Sequence, residues 1–122
     1  MKPLVHLIAL SAAALAAAPS VAAAADTERG RALYESRCVG CHSLDGNRAG
    51  PSHRGVFGRM AGTVPGYAYS PALRNARLVW DRASLDRWLA SPEELLPGQR
   101  MNFSVSDPQE RADLIAYLRA AR

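Results

Sequence analysis

The segment Cys38-Val39-Gly40-Cys41-His42 holds the chain's only two cysteines, and a histidine directly follows the second. The pattern C-x-x-C-H reads as the attachment site of a c-type haem. Two thiols stand at the spacing of the macrocycle's vinyl groups, and an imidazole reaches the iron once they are joined. Such a group constrains the fold more than any periodicity, because it takes up interior that side chains would otherwise fill. Three other uses of the motif are weaker. A redox dithiol belongs near a βαβ pattern, which is missing here. A zinc site needs two more ligands, and only His53 offers itself, with no good fourth. A structural disulfide leaves His42 without a purpose.

A length of 122 residues indicates one folded domain. Residues 1–25 read as a cleavable secretory signal. Met1-Lys2 gives a positive start, Leu4 to Ala18 is apolar and alanine-rich, Pro19-Ser20 breaks the run, and Ala23-Ala24-Ala25 precedes Asp26 as a small-residue cleavage site. The alternative is an uncleaved anchor, but a spanning helix needs about 20 strongly apolar residues. The expected domain is then 26–122, small enough to gain from a cofactor as a staple. Export implies an oxidising compartment, where two free thiols would pair or be modified; the periplasm is expected. Lys2 is the only lysine, so every cation of residues 26–122 is arginine. A net charge of +4 without a basic run argues against nucleic-acid binding.

Asp26-Thr27-Glu28 can open a helix that runs into the Cys38 motif, with Gly30, Leu33 and Tyr34 on one face. Between Ser43 and Tyr69, glycine and proline are too dense for a long element, and a loop of that length is acceptable only around a large body. Ser70-Pro71 predicts a short helix over Ala72 to Ala76. Asp81 or Ser84 can cap the next helix, with Leu85, Trp88 and Leu89 facing inward and Pro92 ending it. Pro92 to Ser106 reads as irregular, with a turn at Pro97-Gly98. Asp107-Pro108-Gln109-Glu110 resembles a capping box before a final helix bearing Leu114, Tyr117, Leu118 and Ala121. The fold class is all-α, three to five helices and long loops wrapped around one covalently bound haem.

His42 supplies one axial bond to the iron. The residues leave the other open among Met60, Met101 and His53, since a methionine is more often packing than ligand.

The chain resembles the soluble class I cytochromes c of the mitochondrial and related bacterial type. The likeness covers nearly all of residues 26–122. It includes Gly30 and Tyr34 before the Cys38–His42 motif, Gly50-Pro51, Gly55-Val56-Phe57-Gly58-Arg59, Pro65-Gly66-Tyr67-Ala68-Tyr69 and Trp80-Asp81. It continues through Pro97-Gly98-Gln99-Arg100-Met101-Asn102-Phe103 and Glu110 to Leu118. The resemblance implies a cytochrome c fold and one haem c held by thioethers to Cys38 and Cys41, with His42 and Met101 on the iron. It implies that the Pro51 carbonyl accepts the second imidazole N–H of His42, and that Arg59, Tyr69 and Trp80 serve the propionates. Phe103 would cover the haem face beside the methionine, and Gly30 and Tyr34 would meet Leu114 and Tyr117 at a helix crossing.

Several positions depart from the family pattern. Gln99 stands where threonine is common, Trp88 where mitochondrial members have tyrosine, and Glu93 and Glu94 where they have lysines of the docking face. His53 stands where an apolar residue is usual, while Arg37, Arg48 and Arg100 remain near the expected haem edge. An iron filled on both sides has no place for oxygen or peroxide, so the expected activity is one-electron transfer and not enzymatic turnover. The resemblance implies membrane redox complexes as partners. The donor would be a quinol:cytochrome c oxidoreductase or a dehydrogenase; the acceptor would be a terminal oxidase, peroxidase or reaction centre. The protein is expected to be a monomer. A haem enzyme or gas or redox sensor with a displaceable sixth ligand is the rival reading.

Overall fold

The computed structural model describes residue 1 and residues 16–122. Most of the predicted signal, residues 2–15, lies outside the described residues. Residues 16–25 carry no helix or strand and are exposed. Among the described residues, no helix is long and apolar enough to cross a membrane.

The described residues hold five helices in order: α1 (Thr27–Arg37), α2 (Pro71–Arg74), α3 (Arg82–Ala90), α4 (Pro92–Leu95) and α5 (Pro108–Ala120). The long helices start where local chemistry directs. Asp26 accepts the Arg29 N–H at 2.9 Å to open α1, and Glu28 sits in the first turn, where the helix dipole favours it. In α3, Asp81 is the cap and Ser84 completes the reciprocal box, so both predicted candidates act together. Asp107 opens α5 by accepting from Gln109 and Glu110, ahead of Pro108 at the first helical position.

Three local expectations change. The α2 helix is Pro71–Arg74, shorter than predicted, because Asn75 already caps it. Pro92 does not only end α3: Ser91 is extended at φ −157°, and Pro92 then starts α4 with Glu93 and Glu94 in its first turn. Glu110 does not reach back to Asp107. It turns across to α1 and takes two hydrogen bonds from Arg37, at 2.6 and 2.8 Å. A charged partner on a neighbouring helix outcompetes the neutral backbone amide.

The core gathers where α1 crosses α5 and α3 leans on α5. Leu114, Ile115 and Leu118 meet Tyr34, Leu85, Leu89, Val105 and Trp80. Gly30 makes the crossing close: a β-carbon there would lie 1.9 Å from the Asp113 carbonyl oxygen. Beside it, Asp113 is buried yet satisfied. It accepts from the Asp26 N–H at 2.7 Å, Arg29 Nε at 2.9 Å and Gln109 Nε2 at 3.1 Å.

The 43–69 stretch is a loop, as its composition predicts, but it has ties of its own. Gly55 donates to Ala121 at 2.8 Å, His53 and Arg54 donate to Ser43 and Leu44, and Gly58 donates to Trp80 at 2.7 Å. Met60 and Val79 form an isolated antiparallel bridge. Gly62 turns at φ 74°, and a β-carbon there would meet the Leu73 carbonyl at 2.2 Å, so only glycine fits.

Candidate cofactor site

The α1 helix delivers the attachment motif directly. Its cap is Cys38, whose N–H donates to Tyr34 at 2.9 Å, and the Cys41 and His42 N–H groups both return to the Cys38 carbonyl. That tight turn puts two thiols and an imidazole on one short arc. Both cysteines are free, Cys38 half-buried and Cys41 exposed. Burial pushes the Cys38 thiol up to about 11, so it stays protonated at neutral pH. Arg48 braces the turn by donating to the Val39 and His42 carbonyls, and Gly50 donates to Cys41 at 2.8 Å.

His42 is buried at 8% exposure. Its Nδ1 lies 2.8 Å from the Pro51 carbonyl oxygen. A carbonyl can only accept, so Nδ1 carries the proton and Nε2 keeps its lone pair. Burial lowers the pKa of the ring, and the Pro51 contact opposes part of that shift. A neutral imidazole with its second nitrogen committed is the form a metal needs. Gly50 makes room for it: a β-carbon there would stand 2.2 Å from Cε1 of His42.

The other predicted site residues fall into two groups. Arg59 and Trp80 are paired through the backbone, with Trp80 N–H donating to the Arg59 carbonyl at 2.8 Å. The Arg59 guanidinium donates to the Ser52 and Arg54 carbonyls. Its charge also favours the ionised form of Tyr69, although burial dominates and raises that hydroxyl. Tyr69 accepts the Val64 N–H at 3.0 Å, and Trp80 is buried against Trp88 with ring centroids 5.4 Å apart.

Met101 and Phe103 form the second group. They line a hollow of about 240 Å³ with Pro92, Glu93 and Gln99. Met101 is half-buried, and Phe103 is 39% exposed. Met60, the other candidate methionine, is 45% exposed on its bridge with Val79.

The contacts of two residues that the sequence singled out were not legible in it. The Glu93 carboxylate holds the methionine loop, taking the Gly98 N–H at 2.9 Å and Gln99 Nε2 at 3.0 Å. These donors hold it below the usual carboxylate range. Gln99 Oε1 is buried without a partner, an orphan acceptor at the edge of this hollow. The second residue is His53, whose ring stacks on His42 with centroids 4.0 Å apart and planes at 21°. Burial, with the nearby His42 ring and the Arg59 charge adding to it, pushes His53 down to about 3. Arginines expected at the haem edge are partly spent internally, since Arg37 pairs with Glu110 and Arg48 braces the turn.

The residues present fit a covalent haem: two free thiols on one turn, an adjacent buried imidazole with a free Nε2, and a glycine that clears its ring. Known proteins agree. The cytochrome c family model matches residues 27–122. Cytochrome c of Euglena viridis is 45% identical over 100 residues, covering 80% of this chain and 98% of that protein. Cytochrome c of Sesamum indicum is 41% identical over 100 residues, covering 79% of this chain and 90% of that protein. Among solved structures, cytochrome cH from Methylobacterium extorquens superposes with a TM-score of 0.75 at 41% identity, covering 78% of this chain and 98% of that one. Ferricytochrome c2 from Rhodopseudomonas palustris gives 0.74 at 32% identity, covering 80% and 99%. The chain belongs to the cytochrome c family, as a class I electron-transfer cytochrome with covalent haem c, and Cys38 and Cys41 fit the C-x-x-C-H attachment motif.

Proposed function

We propose that this chain is an exported one-electron carrier, cut after Ala25 and working in the periplasm between membrane redox complexes. The observation that carries the reading is the His42 ring, with Nδ1–H committed to Pro51 at 2.8 Å and Nε2 left for iron, directly after two free thiols. Met101 would hold the iron together with His42. It sits half-buried in a loop that Glu93 holds by two hydrogen bonds, while Met60 stands exposed on an extended bridge.

Bound here, haem c supplies the Fe(II)/Fe(III) couple; the chain's own residues set its environment. Pro51 fixes the tautomer and heading of His42 and raises its donor strength. A Met101 thioether as second ligand would favour the reduced iron more than a second nitrogen ligand would. Arg59, Tyr69 and Trp80 are assigned to the propionates, which need partners if buried. With His42 and Met101 both holding the iron, the chain would leave no place for oxygen chemistry and would act as a carrier, not an enzyme.

Donor and acceptor are assigned as in the family's respiratory or photosynthetic role: a quinol:cytochrome c oxidoreductase or dehydrogenase, then a terminal oxidase, peroxidase or reaction centre. The test is the exported protein itself. Its mass should equal residues 26–122 plus one haem, and the reduced form should not take up carbon monoxide at neutral pH. Immediate tight carbon monoxide binding would instead favour a haem enzyme or gas sensor.

A further inference from the structure

His42 is gripped on both faces of its ring. A β-carbon built at Gly50 would lie 2.2 Å from Cε1 and 2.6 Å from both ring nitrogens, distances that place it over a ring face and not at the edge. His53 is not among the atoms that carbon would meet first, so Gly50 covers the face that His53 leaves free. On the other face lies the His53 ring, 4.0 Å away by centroid and nearly parallel.

His53 is in turn fixed from behind. Its Nδ1 shares a 3.0 Å hydrogen bond with the hydroxyl of Tyr34, and the two rings meet edge to face at 5.6 Å. Tyr34 is 3% exposed and wedged against Tyr117 of α5, with ring centroids 5.2 Å apart. The helix crossing that builds the core therefore also anchors His53.

We propose that His53 is a positioning residue for the axial imidazole: it sets the plane of the His42 ring over the haem, and Tyr34 acts through it. The proposal rests on His42 being the iron ligand. The Pro51 contact fixes where Nδ1 points, but acceptance at a carbonyl oxygen is broad in angle and leaves the ring free to tilt. A flat ring stacked on one face, with backbone on the other, removes that tilt. The orientation of an axial imidazole plane decides how the iron's unpaired spin spreads over the macrocycle in the ferric state. Outer groups that hold a ligand's orientation tune a metal in this way.

Four holoproteins test this: His53→Leu, His53→Phe, Tyr34→Phe and the double variant Tyr34→Phe/His53→Leu. The readouts are the hyperfine-shifted haem methyl resonances of the ferric protein and its reduction potential. In wild type, hyperfine-shifted resonances assigned to the His42 ring itself first establish that it ligates the iron, so failure of that reading shows before any variant is compared. His53→Leu, which keeps bulk but loses the flat ring, should reorder or respread the methyl shifts and move the potential. His53→Phe, which keeps a flat ring but loses the Tyr34 hydrogen bond, should shift about as far as Tyr34→Phe and clearly less than His53→Leu. Tyr34→Phe should shift the pattern in the wild-type background and add nothing once His53 is leucine. Wild-type shifts and potential in His53→Leu would overturn the proposal. So would equal displacement by His53→Leu and His53→Phe, or an undiminished effect of Tyr34→Phe in the double variant.

Discussion

Gly30 lies against the backbone of Asp113 so closely that a methyl group at position 30 would fall 1.9 Å from the Asp113 carbonyl oxygen. That contact brings α1 onto α5, and α1 carries the cysteine motif at its end. Packing of the two terminal helices and placement of the attachment turn are thus one problem. Gly30→Ala must push the helices apart, at a cost of about 3 kcal/mol or more. Urea unfolding of the holoprotein should show a much lower midpoint with a similar slope.

Asp113 supports the same crossing through charge. Arg29 beside it holds its carboxyl below the usual range, with the Asp26 N–H and Gln109 also contributing. A depressed carboxylate gives stability that is present above its ordinary pKa of 3.8 and is lost as pH falls through the lower folded value. Asp113→Asn should cost about 2 kcal/mol at neutral pH, and its stability should fall less steeply than that of wild type below pH 4. Thermal unfolding across pH reads both effects.

Cleavage after Ala25 would turn the Asp26 N–H, 2.7 Å from Asp113 Oδ1, into an ammonium facing a buried carboxylate. Its pKa should then stand above the ordinary α-amino value of about 7.7–8.0. For such a raised group the extra stability is complete below that ordinary value and is lost as pH rises through the folded one. NMR titration of the Asp26 amine in the processed protein checks this, and an ordinary value would mean that the terminus has left Asp113.

Glu93 ties the loop that presents Met101 by holding Gly98 and Gln99. Its carboxyl is held below the ordinary 4.5, so its grip should be intact above that value and should weaken as pH falls through the lower folded one. Glu93→Gln should lose the methionine-to-iron absorption band at lower denaturant concentration than wild type. On the acid side, that band should depend less on pH in the variant.

Docking should be only moderately steered by charge. Glu93 and Glu94 are exposed beside the methionine loop, and Arg37 is paired with Glu110. Stopped-flow electron transfer to an acidic redox partner should slow modestly with salt. A fall of several decades by about 0.2 M would contradict this.

Caps were the legible part of this chain. Asp26, Asp81 and Asp107 announce α1, α3 and α5 because a cap bonds within three residues of itself. Pro92 was ambiguous because one residue can end a helix and begin the next, and only the extended Ser91 between them decides it. The Arg37–Glu110 pair spans 73 residues and has no local signature. It becomes visible once α1 and α5 cross. The stack of His53 on His42 is similar. Both residues lie where no periodicity orders the chain, so the contact depends on how the loop returns through Pro51. The motif marks where the cofactor would attach, but the contacts around its histidine are set by tertiary packing.

The central claim is that His42 and Met101 close the iron on both sides. Its most direct measurement is the ferric absorption spectrum of three holoproteins: wild type, Met101→Ala and Met60→Leu. The account predicts a sulfur-to-iron charge-transfer band in wild type, unchanged in Met60→Leu and absent in Met101→Ala, whose reduced form should now bind carbon monoxide. A band that survives Met101→Ala, or one that is missing from wild type, would contradict it.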